Sequence, residues 1–153
     1  MNIELDFEKI DFLEMHNYVI FLDVDGTIVP DGKDIVNQKI KSGVNILKRQ
    51  NNIIYLCSNK KLHDRNLRIA ESLGVLYLKT VSRKPSARVL ESLPVRLREK
   101  KKIVIGDKIM TDGFFAWRIR AQFLKVRGIT SPDDSLFPRI LYAVDRLISK
   151  IIS

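Results

Sequence analysis

Short, nearly continuous apolar runs alternate along the chain with segments whose apolar residues recur at helical spacing. Tyr18–Leu22, Asn52–Cys57, Val75–Leu78, Lys102–Ile105 and Phe123–Val126 predict buried strands, since they are short and rich in β-branched and aromatic residues. Asp34–Gln50, Leu62–Leu73, Ser86–Leu93 and Thr111–Arg120 predict helices between the strands, and Ser135–Ile152 predicts a closing helix. Asp34 is placed to cap the first helix, and Gly74 to end the second in a left-handed turn. Strands that alternate with helices and lack a polar face imply a mainly parallel five-stranded sheet covered on both sides, a three-layer α/β fold. No repeat or Pro/Gly/Ser-rich linker divides the chain. A single domain over residues 1–153 is expected, with its core at about 18–127 and its C-terminal helix at about 135–152.

Such sheets bind ligands beyond the carboxyl ends of their strands, and those ends are where the chemistry falls. The first strand runs into Asp23-Val-Asp25-Gly26-Thr27, the second into Ser58-Asn59, and the fourth into Gly106-Asp107, with Thr111-Asp112 just beyond. Lys84-Pro85 opens the helix before the fourth strand. Crowded carboxylates repel unless a cation offsets them, and a hard divalent ion such as Mg²⁺ suits oxygen ligands. Asp-x-Asp-Gly also resembles the start of a calcium loop. Here, however, it follows a strand rather than a helix, and Ile28 stands at the sixth position, where that loop needs glycine. Taken singly, Ser58-Asn59, Lys84-Pro85 and Gly106-Asp107 are also ordinary turn or helix-start pairs.

Charge and cysteine content narrow the classes. The formal net charge is +9, yet residues 1–34 hold nine carboxylates against only Lys9 and Lys33. The body of the chain is therefore strongly basic, which suits anionic partners: phosphorylated small molecules, nucleic acid or an anionic membrane surface. One cysteine and two histidines exclude a disulfide scaffold, a Cys-rich zinc site and a multi-His metal centre. Cys57, closing an apolar strand, reads as a small core residue. The acidic start and the absence of a long apolar run predict no signal peptide and no transmembrane segment. The expected location is cytoplasmic, or peripheral on the inner face of a membrane.

Together and in this order, the four strand-end motifs resemble those of the haloacid dehalogenase (HAD) superfamily over about residues 18–127. That resemblance implies a Rossmann-like, HAD-type domain and a Mg²⁺-dependent phosphatase working through an aspartyl-phosphate. It implies Asp23 as nucleophile and Asp25 as general acid and base. It places Thr27, Ser58, Asn59 and Lys84 around the phosphoryl group. The metal would be held by Asp23, the Asp25 backbone carbonyl, Asp107 and Asp112. Asp25 separates phosphatases and phosphomutases from dehalogenases in that superfamily. The 30 residues from Ile28 to Cys57 and the 25 from Asn59 to Arg83 leave no room for a cap domain. An uncapped site favours hydrolysis, and it either admits large substrates or borrows a lid from a second subunit of a homo-oligomer.

Gly106-Asp107-Lys-Ile-Met-Thr111-Asp112 is similar to the Gly-Asp-Gln-x-x-Thr-Asp signature of the YqeG-type phosphatases, relatives of mitochondrial phosphatidylglycerophosphatases. Lys84-Pro85, Arg118 and an apolar, arginine-bearing last helix fit that group as well. The chain departs from it with Gly26 for Asn, Lys108 for Gln, and Phe114, Phe115 and Trp117 in a segment usually small and Gly-rich. The substrate so implied is a phospholipid with a terminal phosphate, phosphatidylglycerophosphate. Phosphatases of soluble sugar phosphates or of nucleic-acid ends, and a non-catalytic phosphate-binding module, stand as alternatives; fold and subgroup do not fix a substrate.

Three further features bear on partners. The last helix carries Leu136, Phe137, Ile140, Leu141, Val144, Leu147, Ile148, Ile151 and Ile152 on one stripe, flanked by Arg139, Arg146 and Lys150. Packing on the sheet is the common use of such a helix, and binding at a membrane interface the other. Phe114, Phe115 and Trp117 cannot all face inward on one helix, so at least one is expected at the surface or a contact. The basic run Arg96, Arg98, Lys100, Lys101 and Lys102 reads as a solvated loop.

Overall fold

The computed structural model describes residues 5–130 and 136–152, with the side chains of the last helix described from residue 143 onward. Five strands, β1 (Val19–Leu22), β2 (Ile53–Leu56), β3 (Leu76–Tyr77), β4 (Lys102–Gly106) and β5 (Gln122–Lys125), form one sheet of order β3-β2-β1-β4-β5. Every neighbouring pair is parallel. β1 is central: Leu22 lies opposite Leu56 on one side and Ile105 on the other. The chain winds outward from β1 to β2 and β3, then returns to lay β4 and β5 on its other side. The crevice where the order reverses lies at the carboxyl ends of β1 and β4.

The alternation of side chains along β1 divides the core into two layers. Ile20 and Leu22 pack with residues of α1 (Gln38–Arg49) and α2 (His63–Leu73), among them Ile40, Val44, Leu47, Ile69 and Leu73. Val19 and Phe21 pack on the opposite face against Val89, Leu93, Leu97 and the short helix α3 (Phe114–Arg118). There the Phe21 and Phe115 rings meet edge to face, with centroids 5.3 Å apart. Cys57 lies in this second layer, as a core residue, and burial pushes its thiol up to about 11.

Element boundaries differ from expectation in ways that have local causes. The first helix is capped by Asn37, whose side chain accepts the Ile40 N–H at 2.9 Å, and not by Asp34. Val36 must first turn into the core, which leaves Asp34 exposed in the preceding loop. Gly74 ends α2 in the left-handed conformation, as expected. Residues 87–92 form 3₁₀ turns rather than an α-helix, closed at Leu93 before Pro94. The stretch 111–120 is split: a π-helical turn spans Ile109–Gly113, and only α3 is α-helical. Of its aromatics, Phe115 is fully buried, Phe114 is partly exposed and Trp117 is 75% exposed, so two of the three face outward. Lys102 is not solvated: it lies buried in β4, and its ammonium donates to the Arg98 and Lys100 carbonyls.

The last helix, α4 (Leu136–Ile152), does not pack by its apolar stripe over its described half. Val144, Leu147, Ile151 and Ile152 are exposed, and it is Asp145 that is buried. The expected start at Ser135, the side chains of Leu136, Phe137, Arg139, Ile140 and Leu141, and the acidic start of the chain at residues 1–4 lie outside the described residues. Among the described residues, no helix is long and apolar enough to cross a membrane.

Candidate metal and phosphoryl site

The chain leaves β1 through a tight turn: the Thr27, Ile28 and Val29 N–H groups all donate to the Val24 carbonyl, and Gly26 takes φ +83°. That positive φ is what a glycine supplies without steric cost. The turn sets Asp23, Asp25 and Thr27 over the sheet, all three buried. The Thr27 hydroxyl is 2.8 Å from Asp23 Oδ2 and 3.2 Å from Asp107 Oδ1, which links the end of β1 to the end of β4.

β4 contributes through a close approach. A Cβ on Gly106 would lie 2.3 Å from the Asp112 carboxyl, so only glycine lets Asp112 fold back over the strand end. The π-helical turn carries Asp112 there, and its N–H donates to the Lys108 carbonyl at 2.9 Å. Asp23, Asp107 and Asp112 thus form a buried group whose oxygens lie within 4.8 Å of one another.

Two lysines penetrate this group. Lys84 Nζ lies 2.8 Å from Asp23 Oδ1 and 2.6 Å from Asp112 Oδ1, and the side chain is buried. Burial disfavours the ammonium, yet the facing Asp112 and Asp23 outweigh that cost and hold Lys84 well above its usual range. Burial likewise works against an ionised Asp23, but Lys84 and Lys108 keep its carboxyl below the ordinary value. Lys108 Nζ is 3.0 Å from Asp107 Oδ2. Burial and the nearby Asp23 nevertheless push Asp107 up to about 7, and the same two causes push Asp112 up to about 6. One carboxylate of the three is therefore held ionised, and the other two resist ionisation until a further cation arrives.

Asp25 is placed differently. Arg65 of α2 grips it in a bidentate pair at 2.6 and 2.7 Å. Ser58 Oγ donates to its Oδ2 at 3.2 Å and the Gly32 N–H to its Oδ1 at 2.8 Å. Asn59 does not face this centre: its side chain makes a reciprocal pair with the backbone of Lys84, accepting the N–H at 2.8 Å and donating to the carbonyl at 2.9 Å. Arg118 supports the same segment by donating to the Pro85 carbonyl at 3.3 Å. These two residues position Lys84.

The structure thus brings Asp23, Asp25, Thr27, Ser58, Lys84, Asp107 and Asp112 to one end of the sheet, with Asn59 behind Lys84. Arg65 and Lys108 belong to the centre as well; the sequence marked Lys108 only as a departure from the YqeG-type signature and did not single out Arg65. Arg65 had a readable signal. It sits on the buried stripe of α2 with Ile69 and Leu73, where a lone arginine needs a partner.

Fold and site define an α/β protein with a buried aspartate–lysine centre at the switch point of a parallel sheet. Four carboxylates (Asp23, Asp25, Asp107, Asp112) face three cations (Lys84, Lys108, Arg65). With all four ionised, one negative charge is in excess among these groups, and the hard oxygen donors of Asp23, Asp107 and Asp112 fit a divalent metal ion. Comparison with family models, with curated proteins and with solved structures returns no match for this chain.

Proposed function

We propose that the protein is a Mg²⁺-dependent phosphomonoester phosphatase of the haloacid dehalogenase type, with Asp23 as nucleophile. The observation that carries this reading is the Asp23 carboxylate. It is kept ionised at the end of the central strand, with one oxygen on Lys84 and the other on Thr27, and Asp25 follows two residues later.

In this reading an Asp23 oxygen attacks phosphorus, and the bond from phosphorus to the ester oxygen breaks as the aspartyl-phosphate forms. Asp25 gives a proton to the departing oxygen, then takes one from the water whose attack on phosphorus releases phosphate and restores Asp23. Lys84 offsets charge on the phosphoryl oxygens, and the Ser58 hydroxyl lies on the Asp25 side to donate to them. Asp23, Asp107, Asp112 and the Asp25 carbonyl would hold Mg²⁺, which supplies neutralisation of charge on the transferring group. Arg65 must loosen its grip before Asp25 can carry a proton, so Arg65 is a positioning residue in the resting centre.

The YqeG-type likeness points this activity toward a phospholipid phosphate at a membrane surface. The experiment is hydrolysis of a chromogenic phosphomonoester with Mg²⁺, with EDTA, and with Asp23→Asn. Activity that needs Mg²⁺ and disappears with Asp23→Asn is expected; activity indifferent to either change rules the mechanism out, and none under any condition favours a phosphate-binding module.

A further inference from the structure

Among the described side chains of α4, only Asp145 is buried, while Val144, Leu147, Ile151 and Ile152 are exposed. A carboxylate taken out of water is costly unless it is hydrogen-bonded or paired, and Asp145 is both. Its Oδ1 accepts the Ile109 N–H at 2.6 Å, and its Oδ2 lies 3.4 Å from Lys125 Nζ. Lys125 stands opposite Gly106 in the sheet, so this anchor lies beside the strand end that leads into Asp107.

The bond to Ile109 bears on the metal group through one peptide unit. Lys108 offers no side-chain cap to the turn Ile109–Gly113, and Asp145 supplies that cap from another helix. The carbonyl of the same Lys108–Ile109 peptide accepts the Asp112 N–H at 2.9 Å and the Gly113 N–H at 3.2 Å. A peptide unit is planar, so fixing its N–H fixes the direction of its carbonyl. Asp145 thereby sets where the backbone of Asp112 sits. Asp112 has little latitude there, because it folds over Gly106 at a distance that leaves no room for a Cβ. A buried N–H left without an acceptor is unfavourable; rotating the peptide relieves it and releases Asp112.

Resting on the metal-holding role that the phosphatase reading gives Asp112, we propose that Asp145 is a positioning residue for the metal. From α4 it holds the Lys108–Ile109 peptide, and through that peptide it keeps the Asp112 carboxyl in place for Mg²⁺. The last helix is then a working part of the centre. Coupling is reciprocal, so metal held at Asp112 in turn tightens α4 on the sheet.

Calorimetry of Mg²⁺ on the full chain compares wild type with Asp145→Ala and Asp145→Asn. Asp145→Ala is expected to weaken binding about tenfold or more, as does the loss of a group that orients a metal ligand. Asp145→Asn keeps an oxygen for the Ile109 N–H and should stay within about threefold of wild type. Asn37→Ala, which removes the α1 cap, should leave Mg²⁺ affinity unchanged, and this tells positioning from general loosening. The proposal is overturned if Asp145→Ala binds Mg²⁺ as wild type does, or if wild type binds none. It is also overturned if Asp145→Asn or Asn37→Ala weakens binding as far as Asp145→Ala. Wild type alone supplies a second readout should Asp145→Ala fail to fold. Mg²⁺ should slow hydrogen exchange at the Ile109 amide and along α4 by about the same tenfold; exchange that Mg²⁺ leaves unchanged overturns the proposal. The chromogenic assay separates the two readings. Mg²⁺ binding that needs Asp145, in a protein without hydrolysis, sinks the phosphatase reading and leaves Asp145 in its role. Hydrolysis with Mg²⁺ binding indifferent to Asp145 does the reverse.

Discussion

At the scale of single residues, the centre depends on two kinds of economy: a missing side chain that makes room, and charges that answer one another. Gly106 is the first kind. Gly106→Ala must displace the Asp112 carboxyl, since the new methyl would lie 2.3 Å from it. A shift of about 1 Å at a reacting centre costs on the order of 10²-fold in rate, and Mg²⁺-dependent hydrolysis should fall by that much while circular dichroism stays native. Lys108 is the second kind: its ammonium competes for Asp107. Lys108→Gln should tighten Mg²⁺ binding by roughly tenfold, a Coulomb effect discounted for solvent, and calorimetry reads it directly. Asp107 and Asp112 give the pH dependence. Their folded-state values, about 7 and about 6, lie above the ordinary 3.8, so below pH 7 the folded protein binds more protons than the unfolded chain. Metal-free protein should therefore lose stability as pH rises from about 5 to 8, and added Mg²⁺ should restore it at pH 8 but do little at pH 5. Thermal denaturation at the two pH values checks the sign. Most of these residues were legible in the sequence because they follow apolar strands directly. Arg65 and Lys108 were not, because a helix residue meets a strand-end aspartate, and a lysine turns back on its neighbour, only once the chain is folded.

At the scale of elements, the strands were legible to within about a residue: β1, β4 and most of β2 are buried with no polar face to blur their ends, whereas the edge strands β3 and β5, expected buried, are partly exposed because each has a neighbour on one side only. The helices were less so. Asn and Asp are near-equal caps by chemistry, and what selects Asn37 over Asp34 is Val36, which has to reach the core before the helix begins. Asn37→Ala should cost about 1 kcal/mol, whereas Asp34→Ala, at an exposed loop position, should stay within about 0.5 kcal/mol; urea denaturation distinguishes them. The segment 109–118 could not be read as two pieces. Its hydrophobic spacing fits one helix, and the wider turn exists because Asp112 has to reach back over Gly106. Phe115 anchors that segment to β1 through Phe21. Phe115→Ala should cost about 3–5 kcal/mol and weaken metal binding as well, since it loosens the element that carries Asp112.

At the scale of the whole molecule, the charge asymmetry acquires a location. The acidic first part of the chain delivers Asp23 and Asp25 into the interior, where lysines and an arginine from later elements answer them. Later basic residues answer acids in the same way elsewhere, Lys125 at Asp145 and Arg127 at Asp6. Parallel topology does the assembling: β1 and β4 lie side by side although about 80 residues apart in the chain, so the two aspartate motifs meet at one crevice. The exposed apolar residues of α4 and the outward Trp117 were only half legible, because the periodicity marks a stripe without saying what covers it. The central claim is that Asp23 carries the phosphoryl group during turnover. Acid-quenching the protein with Mg²⁺ and a phosphomonoester, then locating the phosphoryl group by peptide mass spectrometry, tests it most directly. The account predicts an acyl-phosphate on Asp23 that Asp23→Asn abolishes together with turnover. Steady hydrolysis by a protein whose Asp23 is never phosphorylated, or by the Asp23→Asn variant, would contradict it.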